Sequence, residues 1–175
     1  MRPGSDPFDP KFTCKTVKFP QKLMIWGCFG YHGRGKLVFL PTNETMNKES
    51  YLTLLADNLE GRFKDCKVKP ETALFMQDGA SCHTANIIKD YFNFVNIDYI
   101  QDWPGNSPDL NPIENLWAIM KYELRERDTT TLAKLEHEIR DIWKSLPRTL
   151  LQDLALSFPD RLREVITRKG YPTKY

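Results

Sequence analysis

Short apolar runs separated by turn residues dominate the first part of the chain. Leu23–Gly30 (LMIWGCFG) and Lys36–Leu40 (KLVFL) are two such runs, and the HGRG between them has the composition of a tight turn. This pattern predicts a β-hairpin. After Asn47 the apolar residues recur every three to four positions, which predicts an amphipathic helix that ends at Gly61.

Between residues 72 and 103 the hydrophobic pattern is first that of a strand, then that of a helix, and then that of a second strand. Thr72–Asp78 (TALFMQD) is short and mostly apolar, as expected of a strand that is buried on both faces. A helix capped by Thr84 follows, and Ile97–Trp103 (IDYIQDW) is a further strand. Because the strand, the helix and the next strand fit within about 30 residues, the two strands are predicted to be parallel.

The remainder of the chain has the period of helices. They are predicted over about residues 112–127, from Thr131, around Leu150–Leu156, and from Pro159 to Gly170. The opening residues are rich in proline and lysine and are predicted to be irregular. The expected fold class is therefore α/β, with a mixed sheet and a helical C-terminal part.

Composition narrows the class of protein without selecting a function. The 175 residues suffice for one domain with a core, and the net charge of +2 neither supports nor opposes a nucleic-acid partner. Because no apolar run reaches about 18 residues, no membrane span is predicted. The four cysteines form no CxxC pair, which favours free thiols in a reducing compartment. The possible ligands of a zinc site are Cys28, His32, Cys82 and His83, and their spacing fits no structural zinc pattern.

Two acidic residues stand where the predicted elements would expose them. Asp78 ends the first of the parallel strands and is followed by Gly79, although Asp-Gly is also a common turn pair. Glu114 is the third residue of a helix that Asn111 is predicted to cap. At that position a glutamate can either bond back to the cap amide or remain available to a ligand.

The two acids are expected to meet, because the carboxyl ends of parallel strands lie at one edge of a sheet. Asp78 and Glu114 would then point into one crevice. Two carboxylates in an exposed crevice suit Mg²⁺ or Mn²⁺ and phosphate chemistry. A lone Glu114 at the positive end of a helix would hold a cation only weakly.

The segments around these acids resemble one family of enzymes. QDGASCHT (Gln77–Thr84) and WPGNSPDLNPIENLW (Trp103–Trp117) are similar to motifs in the catalytic domain of Tc-one/mariner transposases, and MIWGCF (Met24–Phe29) and the terminal RKGYPTKY match further. The resemblance implies an RNase H-like fold with an Asp-Asp-Glu triad. It also implies DNA cleavage and strand transfer with two Mg²⁺ (or Mn²⁺) ions, transposon ends and target DNA as partners, and a nuclear location.

The resemblance assigns roles to single residues. Asp78 matches the second acid of the triad and Glu114 the third, so both are implied as catalytic metal ligands. His83 matches a histidine of the family, with a helix-start or core histidine as the alternative. Asp109 is a further candidate to support the site, although an ordinary loop acid is the simpler interpretation.

Two basic residues of the helix that carries Glu114 are candidates to bind nucleic acid. Lys121 and Arg125 lie beyond Glu114, where they would face DNA phosphates. Acidic residues are interleaved with them, so a solvated helix face is the default expectation.

The first acid of the family lies on a strand ahead of WGCF, and this chain begins after the position expected for that strand. The expectation is a single partial domain that lacks its first, central strand. It would have a lead-in over residues 1–20, the sheet and catalytic region over 21–127, and helices over 128–175. Asp6 and Asp9 lie beside prolines and are not placed to replace the missing acid.

Two functions follow from these expectations. One is Mg²⁺-dependent DNA cleavage and strand transfer by a transposase catalytic domain. The alternative is a non-catalytic, transposase-derived module that binds DNA or protein, with a second copy or a full-length transposase as partner. The absent acid favours the alternative for the chain by itself. Lys11–Phe19 (KFTCKTVKF) has the alternating pattern of a strand and is one candidate to take the place of the missing central strand. The other candidate is a strand supplied by another part of a longer protein.

Overall fold

The computed structural model describes residues 23–41, 44–66 and 73–175. Strands and helices follow one another in the order that the hydrophobic pattern predicts. The strands are β1 (Ile25–Gly30), β2 (Gly33–Phe39), β3 (Leu74–Phe75) and β4 (Asp98–Tyr99). The helices are α1 (Lys48–Cys66), α2 (Asn86–Phe94), α3 (Ile113–Glu123), α4 (Leu132–Ser145), α5 (Arg148–Leu156) and α6 (Phe158–Thr167).

The first two strands form the predicted hairpin. They pair antiparallel, with Ile25 opposite Phe39 and Gly30 opposite Gly33. The turn is tighter than the HGRG pattern indicated, because Gly33 already belongs to β2 and has a φ of 132° that favours glycine. The pairing therefore extends almost to the tip of the hairpin.

The third and fourth strands are parallel, as predicted. Leu74 lies opposite Asp98 and Phe75 opposite Tyr99, and the amide of Ile100 donates to the carbonyl of Phe75 at 2.9 Å. Each strand is only two residues long. The ladder therefore sets the direction of the two segments, while packing must supply most of their stability.

Two predicted helix ends are wrong, for local reasons. Thr84 does not cap α2: its hydroxyl donates to the carbonyl of Ala80, and the helix begins at Asn86. Gly61 does not end α1, which continues to Cys66. A glycine inside a helix costs about 1 kcal/mol relative to alanine, which the other contacts of a long helix can offset.

The buried apolar residues of the described ranges form two separate clusters. One buries α1 and α2 against the parallel strands, with Tyr51, Leu55 and Phe92 at its centre. The other packs the hairpin against the C-terminal helices, with Leu116 and Trp143 at its centre. The protein is thus held together as two packed halves, and α1 contacts β2 between them.

The described strands form two separate two-stranded sheets. A cavity opens between them and is lined by residues 24–31 along β1 and 74–78 along and after β3. Lys11–Phe19, Asp6, Asp9 and the rest of the predicted lead-in lie outside the described residues.

Stacked tryptophans fix the distance between the hairpin and the helices. The rings of Trp117 and Trp143 stack with centroids 5.7 Å apart, and Trp143 Nε1 donates to the carbonyl of Gly35 at 3.0 Å. A Cβ atom on Gly27 would lie 3.1 Å from the ring of Trp143 and 3.2 Å from that of Trp117. The strand therefore approaches the rings more closely than a residue with a side chain usually does.

Gly27→Ala should lower the free energy of unfolding by about 1–3 kcal/mol, because the added methyl group overpacks the tryptophan pair. Urea denaturation measures the change. Gly30→Ala is the matched control, since its Cβ would meet no atom within 4 Å. Equal midpoints for the two variants would contradict the close approach at Gly27.

Candidate active site

Asp78 is held in a turn that follows β3. Its Oδ1 accepts a hydrogen bond from the amide of Ala80 at 3.1 Å and lies 2.5 Å from Nδ1 of His83. The side chain of Asp78 is 55% exposed, whereas that of His83 is 18% exposed. The turn therefore presents the carboxylate to solvent while a mostly buried histidine fixes one of its oxygens.

His83 is held in turn by two residues that sequence reasoning did not assign to the site. Its ring packs on that of Tyr51 with centroids 4.1 Å apart. The hydroxyl of Tyr51 donates to Gln77 Oε1 at 2.8 Å, and Gln77 Nε2 donates to the carbonyl of His83 at 2.9 Å. The sequence placed Tyr51 on the apolar face of α1, and the only signal for Gln77 was its place beside Asp78.

Glu114 lies in the first turn of α3. It does not form the alternative predicted for it, a capping box with Asn111. The amide of Asn111, which a capping box would use, donates to the carbonyl of Pro108 at 3.1 Å. Asn111 caps through its side chain instead, since Oδ1 accepts from the amide of Ile113 at 3.3 Å. The exposed carboxylate of Glu114 has no hydrogen-bond or ion-pair partner among the described residues.

One cavity of about 690 Å³ is lined by both acids. Asp78 reaches it from the end of β3 and Glu114 from the start of α3, and His83 and Asn111 contribute to the same wall. This arrangement agrees with the expectation that the two acids share a crevice. Their catalytic roles remain predictions.

The other predicted residues lie away from this cavity. The carboxylate of Asp109 accepts from the amide of Thr173 at 2.8 Å, and this hydrogen bond lowers the pKa of Asp109. Lys121 and Arg125 are exposed farther along α3 and its 3₁₀ extension, and Arg125 covers the ring of Tyr122. None of these three residues lines the cavity that the acids share.

The donors at the cavity fit a divalent cation as part of its ligand set. Carboxylate oxygens are the ligands that Mg²⁺ and Mn²⁺ prefer. Within the described ranges, no three histidine, cysteine, aspartate or glutamate side chains gather closely enough to hold a metal. The cavity is therefore lined by two carboxylates, and the four possible zinc ligands form no cluster among the described residues.

Comparisons with known proteins identify the family of the chain. A family profile described as DDE superfamily endonuclease matches residues 20–136. The transposable element Tc3 transposase of Caenorhabditis elegans is 37% identical over 155 residues, which cover 87% of this chain and 46% of that protein. The Tcb2 transposase of Caenorhabditis briggsae is 31% identical over 175 residues, which cover 99% of this chain and 62% of that protein.

Solved structures show the same fold. The Mos1 transposase catalytic domain, solved with Raltegravir and Mn, superposes with a TM-score of 0.78 at 21% identity, covering 90% of this chain and 80% of that one. The Mos1 mariner paired end complex with Mn gives a TM-score of 0.85 at 20% identity, covering 99% of this chain and 51% of that one. The fold is therefore RNase H-like.

The profile covers more than half of the chain, so the chain belongs to the DDE superfamily of endonucleases, in its Tc1/mariner transposase branch. It spans about half to two thirds of the length of the curated relatives that it matches.

Among the described residues, no helix is both long and apolar enough to cross a membrane.

Burial of Tyr51 gives a test of the network behind Asp78. Burial raises the pKa of Tyr51 far above its usual value near 10. Below pH 10 the phenol is neutral in both the folded and the unfolded states. Above pH 10 only the unfolded state ionises, so this group should lower the free energy of unfolding by up to about 1.4 kcal/mol per pH unit.

Tyr51→Phe removes this pH-dependent component. It should cost about 1–3 kcal/mol at pH 7, because the acceptor on Gln77 loses its partner. Above pH 10 its stability should fall less steeply with pH than that of the wild type. Urea denaturation between pH 7 and 11 measures both effects, and parallel curves above pH 10 would contradict the burial of a neutral phenol.

Proposed function

We propose that the chain is the part of a transposase that cleaves DNA and transfers its strands, with Asp78 and Glu114 as ligands of Mg²⁺ or Mn²⁺. One observation carries the proposal. Two carboxylates from distant parts of the chain line one cavity, and a histidine fixes one of them. Support also comes from the relatives, which are transposases, and from structures of the Mos1 catalytic domain with Mn and with Mg.

Each carboxylate has an oxygen to offer. The hydrogen bond from Ala80 and the contact with His83 both engage Oδ1 of Asp78, which leaves Oδ2 for a ligand. The carboxylate of Glu114 has no partner among the described residues, and it lies in the first turn of α3. Both acids are thus prepared to bind a cation without first breaking an ion pair.

When bound, divalent ions would activate water or a DNA 3′-hydroxyl and stabilise the leaving oxygen. The protein's own contribution is orientation. His83 restricts the rotation of the Asp78 carboxylate, and Tyr51 and Gln77 restrict His83. Residues that orient a metal ligand in this way commonly change metal affinity or activity by about 10–100-fold.

DNA is the proposed partner, and the nucleus is the proposed location. Two solved Mos1 structures of the same fold are a paired end complex and a strand transfer complex. Lys121 and Arg125 are exposed on the helix that begins beside Glu114, so DNA that enters the cavity could extend along that helix. Their contacts with phosphate would add affinity without sequence preference.

A second function is favoured by one observation. Among the described residues, only two acids rather than three come together at the cavity. A site of two carboxylates without a further ligand would hold metal weakly. The chain by itself would then act as a non-catalytic module that binds DNA or a transposase partner.

Purified chain should nick element-end DNA when Mn²⁺ or Mg²⁺ is added, and Asp78→Ala and Glu114→Gln should reduce nicking to background. Mn²⁺ binding, measured by electron paramagnetic resonance, should weaken in both variants by more than the 10–100-fold typical of an orienting residue. Asp90→Asn is the control, because Asp90 is an exposed acid of α2 outside the cavity.

The outcomes separate the two functions. Nicking that persists in Asp78→Ala would contradict the assignment of the site. DNA binding without nicking at any Mn²⁺ concentration would favour the non-catalytic module.

A further inference from the structure

Arg161, on α6, is a charged side chain that the proposed site does not account for. It is 1% exposed. Its Nε donates to Ser157 Oγ at 2.9 Å, Nη1 to the carbonyl of Asp109 at 2.6 Å, and Nη2 to Asn115 Oδ1 at 2.7 Å. The ring of Tyr175 covers the guanidinium at 4.4 Å.

No ion pair with a described carboxylate compensates this buried charge. The Asp109 carboxylate is engaged by the amide of Thr173 instead, and Arg161 contacts only the carbonyl of Asp109. Burial lowers the pKa of Arg161. A buried cation without a direct ion pair is costly, and an apolar residue of similar volume would fill the same space more cheaply. A purpose other than packing is therefore expected of the guanidinium.

The acceptors of Arg161 identify that purpose. Asp109 lies in the 3₁₀ turn ahead of α3, and Asn115 lies in the first turn of α3. Glu114 lies between them in the chain, next to Asn115. A planar guanidinium with a rigid set of donors fixes the relative position of two acceptors better than a flexible ammonium does.

We infer that Arg161 is a positioning residue for Glu114, which it directs into the cavity by tying both ends of the turn that enters α3 to α6. This inference rests on the proposed function, because it gives Glu114 the role of a metal ligand. Arg161 itself does not line the cavity that the two acids share. It acts by removing freedom from the backbone between residues 109 and 115.

The test compares Arg161→Met with Arg163→Met in the same helix. Arg163 is exposed and pairs only locally with Asp160, so it serves as the matched control. Hydrogen exchange, followed by mass spectrometry, reports on the backbone of residues 107–117. Electron paramagnetic resonance reports on the affinity for Mn²⁺ alone, without DNA.

Arg161→Met should speed exchange in residues 107–117 by about tenfold or more and weaken Mn²⁺ binding by about 10–100-fold, the range typical of orienting residues. Arg163→Met should change neither. Ile139→Ala, a core change in α4, should lower stability and leave the Mn²⁺ affinity of the folded protein unchanged. A purely structural role for Arg161 would make its variant behave like Ile139→Ala, which would overturn the inference.

A second variant covers the case in which Arg161→Met does not fold. Asn115→Ala keeps the arginine and removes only one of its acceptors, so it should produce a smaller increase in exchange and a weaker loss of Mn²⁺ affinity. Wild-type affinity in Asn115→Ala would overturn the inference.

The two proposals fail in different ways. If Glu114→Gln weakens Mn²⁺ binding and Arg161→Met does not, the positioning role alone is wrong. If Glu114→Gln has no effect, the proposed metal site is wrong and the positioning role falls with it.

Discussion

The parallel direction of β3 and β4 is the constraint on which the candidate site depends. It sends both strands toward the same edge, so that the turn after β3 and the long loop after β4 emerge together. The ladder itself is only two residues long, so it cannot hold this edge alone. Packing of α1 and α2 against the strands, with Tyr51 and Phe92 buried between them, supplies the rest.

Each acid is fixed by contacts from a different part of the chain. Asp78 depends on His83 and, through it, on Tyr51 of α1. Glu114 depends on the turn before α3 and on Arg161, which joins that turn to α6. The site is therefore assembled from both packed halves.

Sequence reasoning succeeded where the signal was local. The period of the apolar residues predicted the hairpin and the parallel pair, and Thr131 marked the start of α4, where its Oγ1 accepts from the amide of Lys134 at 3.2 Å. The exposed acids were visible because Asp78 precedes a glycine and Glu114 follows a proline-rich loop. The family motifs then connected the two.

The main failures came from contacts that are distant in sequence. Arg161 has the local sequence of a surface arginine, and nothing nearby indicates burial, because its acceptors on Asp109 and Asn115 lie some fifty positions earlier. Thr84 is a plausible cap in the sequence, but its hydroxyl donates to the nearby carbonyl of Ala80 instead. Tyr51 met the expectation of a core residue, and only its hydrogen bond to Gln77 connects it to Asp78.

The central claim is that two acids from separate elements serve one cation site. Anomalous scattering from crystals of the chain soaked in Mn²⁺ tests it most directly. A manganese peak is expected in the cavity, bound by a carboxylate oxygen of Asp78 and one of Glu114. Manganese bound elsewhere, or at only one of these acids while the other points away, would contradict it.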